Sequence, residues 1–240
     1  MKPFNDARAL IADAKTRQLP ALADAYRAAT DSRALDSGVL IATKQLVDGM
    51  RAALDYVANG LYESAIPKPP RRRPIYFPFA RETQTADDFL GILQNNMPDY
   101  SCVRPAVANA LGQLQHYANP AFKWMPRFVQ LSNLLKHHHL GNALPFVVYG
   151  MQITSGSDQI IVQGGKWVVG PEGTHVAGQP ISPGTYDCDH LPPLPSGTVV
   201  EVLRPSEVVF ADDVSVRVYP FLKQVVSGVE HVVETLAPMA

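Results

Sequence analysis

Up to about Gly141 the apolar residues recur at helical spacing; beyond it they alternate or run in short β-branched bursts. Residues 4–30 are rich in alanine and other helix formers, with Pro20 as an interruption, which predicts one kinked helix or two short ones. From about Val39 to Tyr62, the side chains of Leu40, Val47, Met50, Leu54, Val57 and Leu61 fall on one side of a helical wheel and predict a core-facing stripe. Thr85-Ala86-Asp87-Asp88 has the form of a capping box, with Asp in the place of Glu, opening a short helix through Phe89 and Leu93. Pro105 starts a helix carrying Val107, Leu111 and Leu114. Pro126 starts another, with Phe128, Leu131 and Leu135 on its apolar side and Gly141-Asn142 as its stop.

The second half reads as strands. Phe146–Tyr149 is one, and Gln159–Gln163 with Lys166–Val169 predicts a hairpin turning at Gly164-Gly165. Gln179–Gly197 is too broken by Pro and Gly for a regular element, whereas Thr198–Leu203, Glu207–Phe210 and Val214–Tyr219 read as strands. After Pro220 a broad apolar face runs from Phe221 to Leu236. Its valines lower helix propensity, so this helix must be held by packing, on the sheet or on a second copy. The fold class is therefore α+β: a helical domain over 1–142, then an antiparallel β-rich region with a C-terminal helix over 143–240. Helices grouped before strands argue against a doubly wound sheet.

Composition changes this picture little. The 240 residues are 46% hydrophobic and 18% charged, which rules out disorder as the dominant state, and the net charge of −1 excludes strong whole-molecule steering to nucleic acid or membrane. The 21 prolines concentrate at 67–78 and 180–195, and others mark helix starts at 105, 126 and 220, so their excess reports segmentation. Cys102 and Cys188 form neither a disulfide framework nor a C-x-x-C pair. No secretory signal and no run of about 18 apolar residues is present, so the expectation is a cytoplasmic protein with no membrane partner. No cofactor motif is read.

Three stretches carry a resemblance. Asp48-Gly49-Met50-Arg51-Ala52-Ala53-Leu54-Asp55-Tyr56, then Phe77-Pro78-Phe79, then Leu131-Ser132-Asn133-Leu134-Leu135-Lys136-His137 occur in that order. Together they resemble a group of uncharacterised bacterial proteins with the patterns N-x-x-R-S-A-L-D-[HY], F-P-[IF] and L-x-N-x-x-K-H. Asp48 stands where the group favours Asn. The likeness spans about residues 39–140 and implies no activity. Members with His in place of Tyr56 would resemble the Arg-x4-6-His motif of HEPN-type helical domains, some of them metal-independent ribonucleases. That likeness implies Arg51 at phosphate and a histidine moving protons.

The candidate residues each carry a plain reading beside a functional one. Lys44, Asp48, Arg51 and Asp55 flank the apolar stripe, with Arg51 able to pair with Asp55 or Asp48. They form either a structural ion pair or an Arg–carboxylate site facing a cleft. Tyr56 replaces the base that a ribonuclease would need, since a phenol with a pKa near ~10 is a poor base at neutral pH. Asn133, Lys136 and His137 lie near a helix end, where they either cap carbonyls or bind an anion, with His137 as the replacement base. His137, His138 and His139 point about 100° apart on a helix and cannot share one metal ion. Arg71, Arg72 and Arg73, with Lys68, form the dense basic run, a solvated linker or a phosphate contact, with Tyr76 and Phe77 near enough to stack on bases. Asp187, Asp189 and His190 read as a turn. The expectation is a non-catalytic binding or assembly protein, a homodimer, with RNA or another phosphate ligand possible. The alternative is a HEPN-like ribonuclease using Arg51 and His137, with Asp55 and Tyr56 beside them.

Overall fold

The stripe predicted at 39–62 becomes part of a helix of 29 residues, Ser37–Ala65, whose buried positions include Val47, Met50, Leu54, Val57 and Leu61. In the computed structural model the helices are α1 (Lys2–Asp13), α2 (Leu19–Ser32), α3 (Ser37–Ala65), α4 (Ala86–Asn96), α5 (Tyr100–Val103), α6 (Pro105–Gln113), α7 (Trp124–His137) and α8 (Val218–Leu236). The strands are β1 (Pro145–Ser155), β2 (Asp158–Gln163), β3 (Lys166–Val169), β4 (Thr174–Val176), β5 (Gln179–Ile181), β6 (Gly184–Asp187), β7 (Val199–Phe210) and β8 (Asp213–Arg217). The structure describes the chain apart from residues 1, 33–35, 67–73, 138–144, 156–157, 164–165, 170–171, 177, 188–190 and 211–212. The fold is α+β, and the chain divides into two units: Met1–Ala25 with Ser37–Leu144 and Val218–Ala240, and Tyr26–Asp36 with Pro145–Arg217.

In the helical unit α3 is central, with α1, α7 and α8 packed on it. Two glycines allow close helix approach. A Cβ at Gly60 of α3 would lie 3.2 Å from the Phe4 ring of α1, and one at Gly228 of α8 would lie 2.4 Å from the Trp124 ring of α7. Between α1 and α2 the chain stays helical through one π-turn, Ala14–Gln18, in which the Leu19 N–H reaches back to the Ala14 carbonyl. Pro20 explains this turn. Its ring crowds the carbonyl four residues earlier and it donates no hydrogen bond, and widening the preceding turn relieves the clash without breaking the helix. Further on, Asp88 accepts the Thr85 N–H at 2.8 Å, as the expected capping box requires.

The division at residue 143 needs correction in two places, since Tyr26–Asp36 groups with the strands and the chain returns to the helical unit at Val218. The C-terminal helix belongs to the helical unit, where it packs on α1, α3 and α7. Phe221, Leu222, Val225, Val226, Val229, Val232, Val233 and Leu236 are all buried there. Packing does hold the valine-rich helix, but the partners are these helices, and its apolar face is no longer available to a second copy. Arg8–Glu234 and Lys15–Glu230 ion pairs, at 2.7 and 2.8 Å, join α8 to α1 and to the π-turn that follows it. The helix starts at Val218, with Pro220 in its first turn, where no N–H is needed.

In the other unit an antiparallel sheet runs in the order β2-β1-β7-β8, beside the ribbons β3-β6 and β4-β5. The expected hairpin of β2 with β3 is absent from the described pairings. β2 instead pairs with β1 from Ser155↔Asp158 to Gly150↔Gln163, a longer ladder than the four residues of β3 could offer. Thr198–Leu203 and Glu207–Phe210 are one strand, with the ladder interrupted between Leu203 and Glu207 around Pro205, which lacks a donor. Gln179–Ile181 and Gly184–Asp187 are regular after all, because each needs only one short partner. Among the described residues of this unit, Ile153, Val169, Val176 and Ile181 form a buried hydrophobic cluster.

Candidate functional site

The α3 flank that carries Arg51 and Asp55 faces the extended segment 74–80, and the two hold each other. Asp55 Oδ1 accepts the Phe77 N–H at 2.9 Å, while Asn59, one turn later, donates to the Ile75 carbonyl at 3.1 Å. Asp55 Oδ2 pairs with Arg51 Nε at 3.4 Å, and the Arg51 guanidinium carbon lies 4.4 Å from the centre of the Phe79 ring. A cation over an aromatic face contributes about 0.5–2 kcal/mol. On the opposite side of the segment, Gln115 is fully buried; its Oε1 accepts the Ala80 N–H at 2.9 Å and its Nε2 donates to the Pro78 carbonyl at 3.1 Å. Four backbone groups of a segment with no helix or strand of its own are thus satisfied by three side chains.

This clamp joins two of the three sequence motifs and packs them on α7, the helix that carries the third. Phe77 and Phe79 are buried with ring centres 4.9 Å apart, and Phe79 meets Phe128 of α7 at 6.3 Å. Phe77 is therefore a core residue and cannot stack on a base, contrary to the expectation from its place beside the basic run. Tyr76 between the two anchor points is 45% exposed.

The remaining candidates fall in different places. Asp48 pairs with Lys44 at 2.6 Å, not with Arg51. Tyr56 is 43% exposed, on the turn that carries Asp55. Asn133 is exposed on α7. The side chains of Lys136 and His137 lie outside the described residues, as do Arg71, Arg72, Arg73, His138 and His139. No group of three or more His, Cys, Asp or Glu gathers at one point among the described residues. None of the described helices is long and apolar enough to cross a membrane.

Asn133 lines a groove of about 470 Å³ that sequence reasoning did not foresee. One wall is Arg81, Glu82 and Thr83; the other is the face of α7 bearing Pro126, Val129, Gln130, Asn133 and Leu134. The α7 residues repeat at helical spacing, so one helix face forms that whole wall. The other wall is a turn closed by the Gln84 N–H on the Arg81 carbonyl at 2.8 Å and fixed by the Arg81 N–H on Gln84 Oε1 at 2.7 Å. His116 Nε2 lies 3.2 Å from the Glu82 carbonyl and ties the turn to the end of α6. The signal available in the sequence was the second, mixed face of α7, which a reading of its apolar side passes over. The volume is that of small-ligand sites, ~300–1,000 Å³. Elsewhere in this unit burial pushes the Tyr100 phenol pKa up, and its ring stacks on Tyr62 at 6.3 Å, a core arrangement.

Comparison with protein-family models, with curated proteins and with solved structures returned no match to this chain.

Proposed function

We propose that the chain is a non-catalytic binding protein whose ligand occupies the groove between Arg81–Thr83 and α7. The observation that carries this reading is the chemistry of the groove's polar lining. The Gln130 and Asn133 carboxamides offer donors and acceptors without being acids or bases, so they recognise by hydrogen bonding, and Arg81 and Glu82 lie opposite them with charges of opposite sign. Apolar Val129 and Leu134 beside them give the mixed surface common to ligand sites. The alternative, a HEPN-like ribonuclease, asks Arg51 to meet a phosphate. The engagement of Arg51 with Asp55 and Phe79 favours binding over that alternative.

The test is a ligand-observed NMR screen of a diverse fragment set against wild type and Asn133→Trp, which fills the groove from an exposed position. Circular dichroism checks that the variant stays folded. Fragments that bind wild type and are lost in the variant support the reading; fragments that bind both equally contradict it.

A further inference from the structure

Resting on that reading, we infer that the groove takes an extended, uncharged polypeptide segment of a partner protein, held through its backbone. Gln130 and Asn133 are exposed, three positions apart on one helix face, and both line the groove. Each carboxamide presents a donor and an acceptor, the same pair that a peptide group presents, so one such wall complements a peptide backbone. The charges at the groove point the same way. Among the described lining residues the charged ones are Arg81 and Glu82, adjacent and of opposite sign, so these residues select neither an anion nor a cation by net charge. A phosphate offers acceptors only and would meet the Glu82 carboxylate, while a wholly apolar ligand would cover the two amides without satisfying them. An extended chain satisfies the amides and leaves alternate side chains for the Pro126, Val129 and Leu134 surface.

Length sets the size of the segment. From Pro126 to Leu134 a helix rises about 12 Å at ~1.5 Å per residue. An extended chain advancing ~3.3 Å per residue spans that distance in about four residues.

The experiment is calorimetric titration of the full chain with a positional-scanning library of N-acetylated, C-amidated tetrapeptides. The strongest binder is then compared with its backbone N-methylated form and with inorganic phosphate. The expected result is saturable one-to-one binding, weakened at least tenfold both by N-methylation and by the Gln130→Leu/Asn133→Leu double variant, with phosphate failing to compete. Equal binding of the N-methylated form, or displacement by phosphate, overturns the peptide assignment. Self-association of the free protein that the double variant abolishes and peptide does not reverse assigns the groove to a second copy and also overturns it. No peptide binding while groove-directed fragments still bind removes the peptide class alone. Loss of both removes the groove reading itself.

Discussion

Asp55 accepts the backbone N–H of Phe77 at 2.9 Å, joining the middle of α3 to a segment 22 positions away in the chain. The same carboxylate holds Arg51, whose guanidinium covers Phe79. One acidic side chain therefore fixes both ends of the Phe77-Pro78-Phe79 stretch, directly at one and through arginine at the other.

Removing that carboxylate leaves a half-buried N–H and a half-buried guanidinium without their acceptor. Asp55→Ala is expected to lower stability by about 1–3 kcal/mol in urea unfolding. Asp55→Asn keeps one acceptor oxygen and is expected to cost less, about 1 kcal/mol. Equal losses for the two variants would mean that the Phe77 hydrogen bond contributes nothing.

Gly228 is required by space and not by backbone conformation. Its Cβ in Gly228→Ala would lie 2.4 Å from Trp124 Cε2, so α7 and α8 must separate or the indole must move. The expected cost is about 1–3 kcal/mol, read as a lower Tm. Trp124→Phe in the same chain should recover part of it. An unchanged Tm in the single variant would contradict the close helix approach.

The α1–α8 seam gives a pH dependence of defined sign. Hydrogen bonding from Arg8 holds the Glu234 carboxyl below its ordinary value of 4.5. A carboxylate depressed on folding stabilises the folded state fully above its ordinary pKa, and this contribution is lost as pH falls through the depressed value. Wild type should therefore exceed Glu234→Gln in urea midpoint at pH 7. The gap should close as pH falls below about 4.5 and should also shrink in high salt, because the pair is exposed. A gap that persists in acid would show that Glu234 acts through something other than its charge.

Helices were legible in the sequence wherever a one-sided apolar stripe coincided with a start signal. Pro105 opens α6 as expected, and the Phe128, Leu131 and Leu135 side of α7 is buried. The π-turn before Pro20 was not legible, because a proline inside a helical pattern specifies a disturbance without saying whether the helix bends or breaks. Strand positions were found more readily than strand partners. Gly164-Gly165 allowed a hairpin, but pairing is decided by the length of ladder available, and β1 offered β2 the longer one. Among candidate residues, the Arg51–Asp55 pair followed from four-residue spacing, whereas its role came from Phe77 and Phe79, which only the fold brings to it. Gln115 interrupts no pattern in the sequence, yet it is fully buried and satisfies two backbone groups of the same segment.

The arrangement of Arg51 makes a further prediction about catalysis. Wild type and Arg51→Ala are expected to show the same background rate in an RNA-cleavage assay. Tyr56→His, which creates an Arg-x4-His spacing, is expected to add no activity, since Arg51 stays on Asp55 and Phe79. Cleavage by wild type that Arg51→Ala abolishes would reverse the assignment.

On the proposed function, two parts of the helical unit divide the labour: the α3 flank fixes the fold and the α7 groove is where the ligand binds. Amide chemical-shift mapping during titration with a groove-binding fragment tests both halves at once. The predicted result is movement of residues 81–83 and of the Gln130 and Asn133 side-chain amides, with the Phe77 amide and the Arg51 guanidinium resonances unchanged. Shifts centred on Arg51, Tyr56 and Phe77, with the groove silent, would contradict it.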